Sequence, residues 1–363
     1  MKYIALRSIA AVASILTVNA AHAQSSVTLF GMMDTGITYF SNQGGHSSVI
    51  EDGYVNSPNF IGLSGKEELG GDLRAVFRLV QSFQSTNGKA LSSGLAFGQD
   101  SFVGLESDTY GKLTLGRQND FANEMLQYAG IVGPIYGYHP GDYDRITGEF
   151  LNNSIKYDSP TVMGFQGGAM YSFGSTSGTA TNTGRAFSVK LKYQNGPFAV
   201  GGSLTDLNGT TINPASIGLA YAFGESTAST ADSGIALHNL TTATVGAAYQ
   251  LGSARVMASY SHTHFETTEG ATDRLQTVDV GMSYNIFPDL IAAADYGYSV
   301  GLGGRWHVYN AMLDYLLSKR TTVYVSADFA HVTGAGQVAQ LLYASPSSSA
   351  NQLALRVGIS HRF

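Results

Sequence analysis

SVTLFGMMDTGITYF, residues Ser26 to Phe40, carries the pattern that decides the fold. Val27, Leu29, Met33, Ile37 and Tyr39 share one parity, and Thr28, Asp34 and Thr38 share the other. Successive strand side chains point to opposite faces, so this is a strand with one apolar and one polar side. Its length suits an oblique crossing of a bilayer.

The same grammar repeats along the chain. Leu73, Ala75, Phe77 and Leu79 alternate with Arg74, Val76, Arg78 and Val80 after the tight turn Gly70-Gly71. Val278, Val280, Met282 and Tyr284 alternate with Thr277, Asp279, Gly281 and Ser283. Leu353, Leu355, Val357, Ile359 and Phe363 alternate with Ala354, Arg356, Gly358, Ser360 and Arg362. Short connections such as Asn195-Gly196-Pro197, Gly252-Ser253 and Phe287-Pro288-Asp289 join strands in pairs. Longer polar stretches such as Gly174 to Gly184 and Gly334 to Ala350 separate the pairs, and one such run ends near Ser57. The count is 16 strands. Ala215 to Phe223 could make another, and we place it in an elaborated outer hairpin as an extension of its neighbour. A transmembrane β-barrel has this asymmetry of short turns and long outer loops. A soluble sandwich would bury its apolar faces against a partner sheet; in lipid, only a closed sheet satisfies every backbone group.

The composition agrees. The chain has 44 Gly, 21 Tyr, 18 Phe and no Cys, and 13% of its residues are charged, which is low for a water-facing surface. Lys2 and Arg7, the short apolar run Ile9 to Val18 and Ala21-His22-Ala23 read as a signal peptide over residues 1–23, with Gln24 opening the mature chain. Export without those two basic residues leaves an acidic protein, which argues against nucleic-acid binding. No later apolar run is long enough for a spanning helix.

One connection is anomalous. Asn119 to Asn152, NDFANEMLQYAGIVGPIYGYHPGDYDRITGEFLN, is far longer than compact domains use without a functional reason. It carries Glu124, Asp142, Asp144, Arg145 and Glu149 among Tyr136, Tyr138 and Tyr143, and Pro134, Gly137, Pro140 and Gly141 predict a folded-back path.

Five blocks then resemble a known family: SSVTLFGMMDTG at the mature start, GLSGKEELGGDLRAVFRL, FVGLESDTYGKLTLGRQ, NSIKYDSP and the ending RVGISHRF. Together they are similar to the general trimeric porins of Gram-negative bacteria, in the branch typical of beta-proteobacteria and Neisseria. The resemblance implies an all-β, 16-stranded antiparallel barrel of the outer membrane over residues 24–363, assembled as a homotrimer. It implies passive diffusion of small hydrophilic solutes and inorganic ions, with no cofactor. It also implies that the third outer loop, here residues 119–152, folds inside as a constriction. In such proteins the outer-membrane assembly machinery reads the terminal aromatic, here Phe363. Lipid and lipopolysaccharide would surround the barrel, and bound calcium is left open.

A pore selects by width and by the field of its lining charges. Arg74 and Arg78 have lumenal parity; on the lipid side each would cost about 2–4 kcal/mol near mid-membrane. The resemblance sets them opposite the acidic loop, where Glu124, Asp142, Asp144 and Glu149 would face a basic wall and Arg145 would pin one carboxylate. Asp34 has lumenal parity too. Arg117 is counted with the constriction residues: strict alternation from Leu113 and Leu115 would put it outward, but a strand end there would turn it inward, and a subunit contact is the other role open to it. The chain also departs from the family: Phe60 and Ser64 stand where basic residues are usual, Val80 where Glu is frequent, and Lys66 lies nearer the turn. The sign of ion selectivity therefore stays open.

Other chemistry is thin. Gly297-Tyr298-Ser299-Val300-Gly301 matches a nucleophile motif, but no helix follows to make its elbow. His262 and His264 share a strand face that looks outward, without Cys or an acidic cluster to complete a metal site. An outer-membrane barrel enzyme and a secreted β-rich binding module are the competing readings.

Overall fold

The computed structural model describes residues 26–92, 94–130, 133–174, 183–219, 221–227 and 233–363. The signal-peptide residues lie outside that set. The chain forms a closed antiparallel barrel of 16 walls. These are β1 Ser26–Gln43; β2, in two pieces, His46–Gly53 and Phe60–Gly70; β3 Leu73–Ser82; β4 Ser101–Ser107; β5 Gly111–Asn119; and β6 Phe150–Asp158. They continue as β7 Phe165–Phe173, β8 Arg185–Asn195, β9 Phe198–Asn208, β10 Ile235–Leu251, β11 Ala254–Thr267 and β12 Thr272–Phe287. The last four are β13 Leu290–Gly301, β14 Gly304–Leu316, β15 Thr321–Thr333 and β16 Asn351–Arg362. Each wall pairs with the next, and β1 closes on β16 from Met32↔Arg362 to Phe40↔Ala354.

The outward parity is apolar and exposed, as at Val27, Leu29, Ile37, Val103, Leu115, Val245 and Val357. The inward parity is polar and buried, as at Thr38, Thr114, Ser188, Thr205, Asp279 and Arg356. A barrel in lipid inverts the arrangement of a soluble domain in this way. At the seam Phe363 and Gly31 exchange both backbone hydrogen bonds at 3.0 Å. A Cβ on Gly31 would sit 2.3 Å from the Phe363 ring, so only glycine leaves room for that ring.

Three boundaries differ from the sequence reading. The polar run after Phe40 is largely strand: Gly44 and Gly45, both at positive φ, make a two-residue hairpin, and Tyr39 pairs with Val49. Above the membrane a strand needs no apolar face, so hydropathy was silent there. β2 then breaks at residues 54–59 before resuming. The long connection spans residues 120–149, because Asn119 ends β5 and Phe150 to Asn152 begin β6. Finally, Ala215 to Phe223 adds no wall. It holds the turn Pro214–Ile217 and the small pair Tyr221–Ala222 with Glu225–Ser226; the extension of the sheet is Thr211–Ile212 against β10.

Part of the lumen is filled. Outer segments 209–219 and 334–350 fold inward over β10 to β16, and Val338 N–H donates to Gly218 C=O at 3.2 Å. Ile217, Leu219, Leu237, Phe265, Leu275, Leu302, Trp306, Val332 and Leu341 make an apolar core inside the barrel. The open passage is displaced to the opposite walls.

Candidate pore and its lining

The 120–149 segment enters the barrel at the end of β5. Asp120 closes its neck: its N–H donates to Glu149 C=O at 2.9 Å, its carboxylate accepts from Glu149 N–H at 3.1 Å and from Arg145 at 2.7 Å. The turn Phe121–Gln127 lies on β8. Phe121 N–H donates to Ser188 Oγ at 3.2 Å, and its ring carries Lys156 Nζ at 4.4 Å and Lys190 Nζ at 4.6 Å. Glu124 receives Lys190 at 2.6 Å and Lys192 at 2.5 Å.

The segment then follows the inner wall. Gly130 rests on Gly281 of β12, where a Cβ would lie 1.7 Å from the Gly130 oxygen. His139 is buried between Asp144 and Asp279, the latter at 2.5 Å. Burial alone would lower the His139 pKa, but the two carboxylates hold it well above the ordinary imidazole value. Asp144 also accepts from Ser261 at 3.1 Å. Asn310 of β14 donates to Gly137 C=O at 3.3 Å. At its far reach Ile135 N–H donates to Val55 C=O at 2.7 Å, and Tyr136 donates to Asp52. The segment thus crosses the lumen from β5 to the break in β2.

What remains open is a cavity of about 720 Å³ bordered by Arg78, Asp100, Asp142, Glu149, Tyr54, Tyr138 and Tyr343. Arg78 lies over the Phe30 ring at 4.4 Å and pairs with Asp100 at 2.7 Å. Arg74, on the same face, is nearer the β2–β3 turn, where it pairs with Asp108 at 2.5 Å and Glu106 at 3.4 Å. Phe60 stands edge-on to Phe30 at 5.9 Å, so the wall where the family resemblance placed charge is aromatic. Arg117 does not join the constriction as expected: β5 runs on to Asn119, so Arg117 keeps its outward parity while Gln118 turns inward to Thr114. Its guanidinium donates to Gly98 C=O at 3.0 Å, Phe150 C=O at 2.8 Å and Asn152 Oδ1 at 2.7 Å, bracing the 83–100 segment. Of the loop charges, Glu124 and Asp144 are turned to the walls, Arg145 is buried on Asp120, and Asp142 and Glu149 border the cavity.

Sequence reasoning passed over Lys156, Lys190 and Lys192. Their signal was the one that found Arg74 and Arg78: each alternates with apolar Ile155, Tyr157, Val189, Leu191 and Tyr193. It also passed over Arg356, which is fully buried on Asp34 at 3.2 Å and on Asp52, Thr38 and Tyr324. Asp34 is one anchor of that cluster and also accepts from Val55 N–H at 3.0 Å. Ser299 lies mid-strand with Thr277 at 2.9 Å, and His262 and His264 face outward; among the described residues no group of three or more His, Asp or Glu could hold a metal.

A closed barrel with an apolar exterior, a charged interior and a segment laid across its lumen is a diffusion channel of the outer-membrane type. A model of the family described as Gram-negative porin matches residues 9–335. The chain is 30% identical to an outer membrane porin protein of Bordetella pertussis, over 95% of this chain and 96% of that one. It is also 30% identical to outer membrane porin protein 32 of Delftia acidovorans, over 98% and 99%. The solved anion-selective porin from Comamonas acidovorans superposes with a TM-score of 0.77 at 27% identity, covering 93% of this chain and all of that one. The chain belongs to the Gram-negative porin family. It is an outer-membrane β-barrel that lets solutes diffuse passively through its channel.

Proposed function

We propose that the narrowest part of the pore lies between residues 120–149 and walls β2 to β8, and that it passes small hydrophilic solutes and ions with weak charge preference. The observation that carries this is the contact of the segment with both β8 and the β2 break, which confines water to one side. On that side Arg78 pairs with Asp100 and Arg145 with Asp120, while Glu124 neutralises Lys190 and Lys192 where the segment meets the wall, so few charges are left unpaired. Arg78 supplies the positive edge of the opening and Glu149 the negative edge, while burial and the neighbouring Asp144 push the Asp142 carboxyl up toward its neutral form. Arg74, held at the turn, contributes at the periplasmic mouth.

A homotrimer fits the shape of the wall. β4 and β5 have 7 and 9 residues, against 17 in β10 and 16 in β12. A tilted strand needs about 9–11 residues to cross the hydrocarbon, so the short wall is the one best covered by neighbouring subunits. Phe363, docked on Gly31, serves as the assembly signal; lipid and lipopolysaccharide meet the taller walls. Residues 1–23 act as the export signal. The test is single-channel conductance in a planar bilayer with reversal potential under a KCl gradient, and electrophoresis of unheated protein for the trimer. Arg78→Gln should move permeability toward cations, and Arg74→Gln should move it less. A folded sample without conductance would overturn the pore reading.

A further inference from the structure

We propose that the cavity beside the 120–149 segment is a binding subsite for neutral, hydroxyl-rich ring solutes of hexose to disaccharide size, with Tyr343 as its stacking face. This rests on the reading of the barrel as an open pore and adds a substrate class to it.

The first support is backbone conformation. Tyr343 has φ 64° and Tyr54 has φ 70°, in the left-handed region that favours glycine. Bulky residues persist there when the surroundings hold them, and such positions cluster at ligand sites. The surroundings of Tyr343 are explicit. Leu341 and Ala344 are buried in the internal core, and Ala344 N–H donates to Leu341 C=O at 3.0 Å. Leu341 N–H in turn donates to Gln352 Oε1 at 2.7 Å. The turn is thus fixed at both ends, and its third residue is aimed away from the core. Tyr343 is 73% exposed although it stands among cavity-lining residues.

The second support is the chemistry of the lining. Tyr54 and Tyr138 add aromatic surface, while Asp142, Glu149 and Asn123 add acceptors. Aromatic faces cover the C–H faces of a pyranose, and carboxylate and amide oxygens accept its hydroxyl protons. The volume of about 720 Å³ accommodates one or two such rings, within the usual range of about 300–1,000 Å³ for small-molecule sites. Arg78, the cation most open to the cavity, is already engaged by Asp100 at 2.7 Å. With Glu149 on the same lining, an anionic solute gains little, and a neutral polyol is favoured.

The experiment measures block of KCl current by millimolar maltose in planar bilayers. Wild-type channels should show concentration-dependent block. Tyr343→Ala should raise the half-blocking concentration by about tenfold, the factor of one modest ring contact, with block read as the fraction of that variant's own KCl current. Tyr343→Phe, which keeps the ring, should stay within about threefold of wild type. Intact KCl conductance without maltose block, or equal block in wild type and Tyr343→Ala, would overturn the subsite alone. Absence of KCl conductance in folded protein would instead overturn the pore reading on which it rests.

Discussion

Replacing Glu124 by Gln tests the electrostatics of the passage most directly. The carboxylate holds Lys190 at 2.6 Å and Lys192 at 2.5 Å, and Lys190 keeps a second partner, Asp158, at 2.5 Å. Glutamine is nearly isosteric, so the turn Phe121–Gln127 stays seated through Phe121 and Ser188. Lys192 is left without its acid, and the lumen gains one unit of positive charge. An ion passing about 10 Å away through water feels about 0.4 kcal/mol from that charge. The sign is opposite for anion and cation, so the permeability ratio should move toward anions by about fourfold in dilute salt. With a Debye length of about 10 Å at 0.1 M, the shift should shrink to less than about twofold. Reversal potentials under a KCl gradient, at low and moderate mean salt, measure both values. Arg78→Gln in the same assay must move the ratio the other way. An unchanged reversal potential at low salt, from a variant with normal conductance, would show that the lysine pair does not face the ion path.

Gly281→Ala should lift the segment from β12, because the new Cβ would meet the Gly130 oxygen at 1.7 Å; noisier and larger single-channel currents are expected, and a wild-type trace would refute that contact. Arg356→Gln leaves Asp34 and Asp52 buried without their cation, which costs about 3–5 kcal/mol; the temperature at which the barrel unfolds on heated electrophoresis should fall, and an unchanged value would place the stability of the seam elsewhere. The His139 bridge has a definite pH sense. Because its folded-state pKa is raised, the stabilisation is complete below the ordinary imidazole range and is lost as pH rises through the raised value. Current fluctuations should therefore increase only on the alkaline side, and His139→Phe should abolish that transition; a transition retained in the variant would assign it to another group.

The walls were legible because two solvents act on one strand. Lipid outside and water inside force strict period-two alternation, which is why Ser26 to Phe40 and Leu353 to Phe363 read correctly. That force vanishes above the membrane. His46 to Gly53 therefore looked like loop, although it continues the sheet through Tyr39↔Val49. Parity also placed Arg117 outward, and the structure adds what parity lacks, the carbonyls it braces. The long segment announced itself by length and composition, but the walls it touches were not readable. Lys190, Asp279 and Asn310 each lie on strands far along the chain, and alternation only says that a side chain faces in. Which inward charge meets which loop residue depends on the path of the backbone through the lumen. The internal core was hidden for a similar reason. Leu341 and Ile217 sit in Ser-, Gly- and Thr-rich stretches without period, and only their convergence over β10 to β16 makes a core of them.

That core gives the molecule two kinds of stability that answer to different agents. The outer face of the walls is held by lipid or detergent, against which it has little hydrophobic drive of its own. Trp306, Phe265, Leu275 and Leu341 are instead packed away from water, as in a soluble domain. Releasing them exposes apolar surface to the lumen, with a positive heat-capacity change and sensitivity to urea. Calorimetry should then resolve a urea-responsive event inside a barrel whose walls remain paired. Such an event would change the filling of the lumen, and hence its bore, while the membrane-facing shell stays paired.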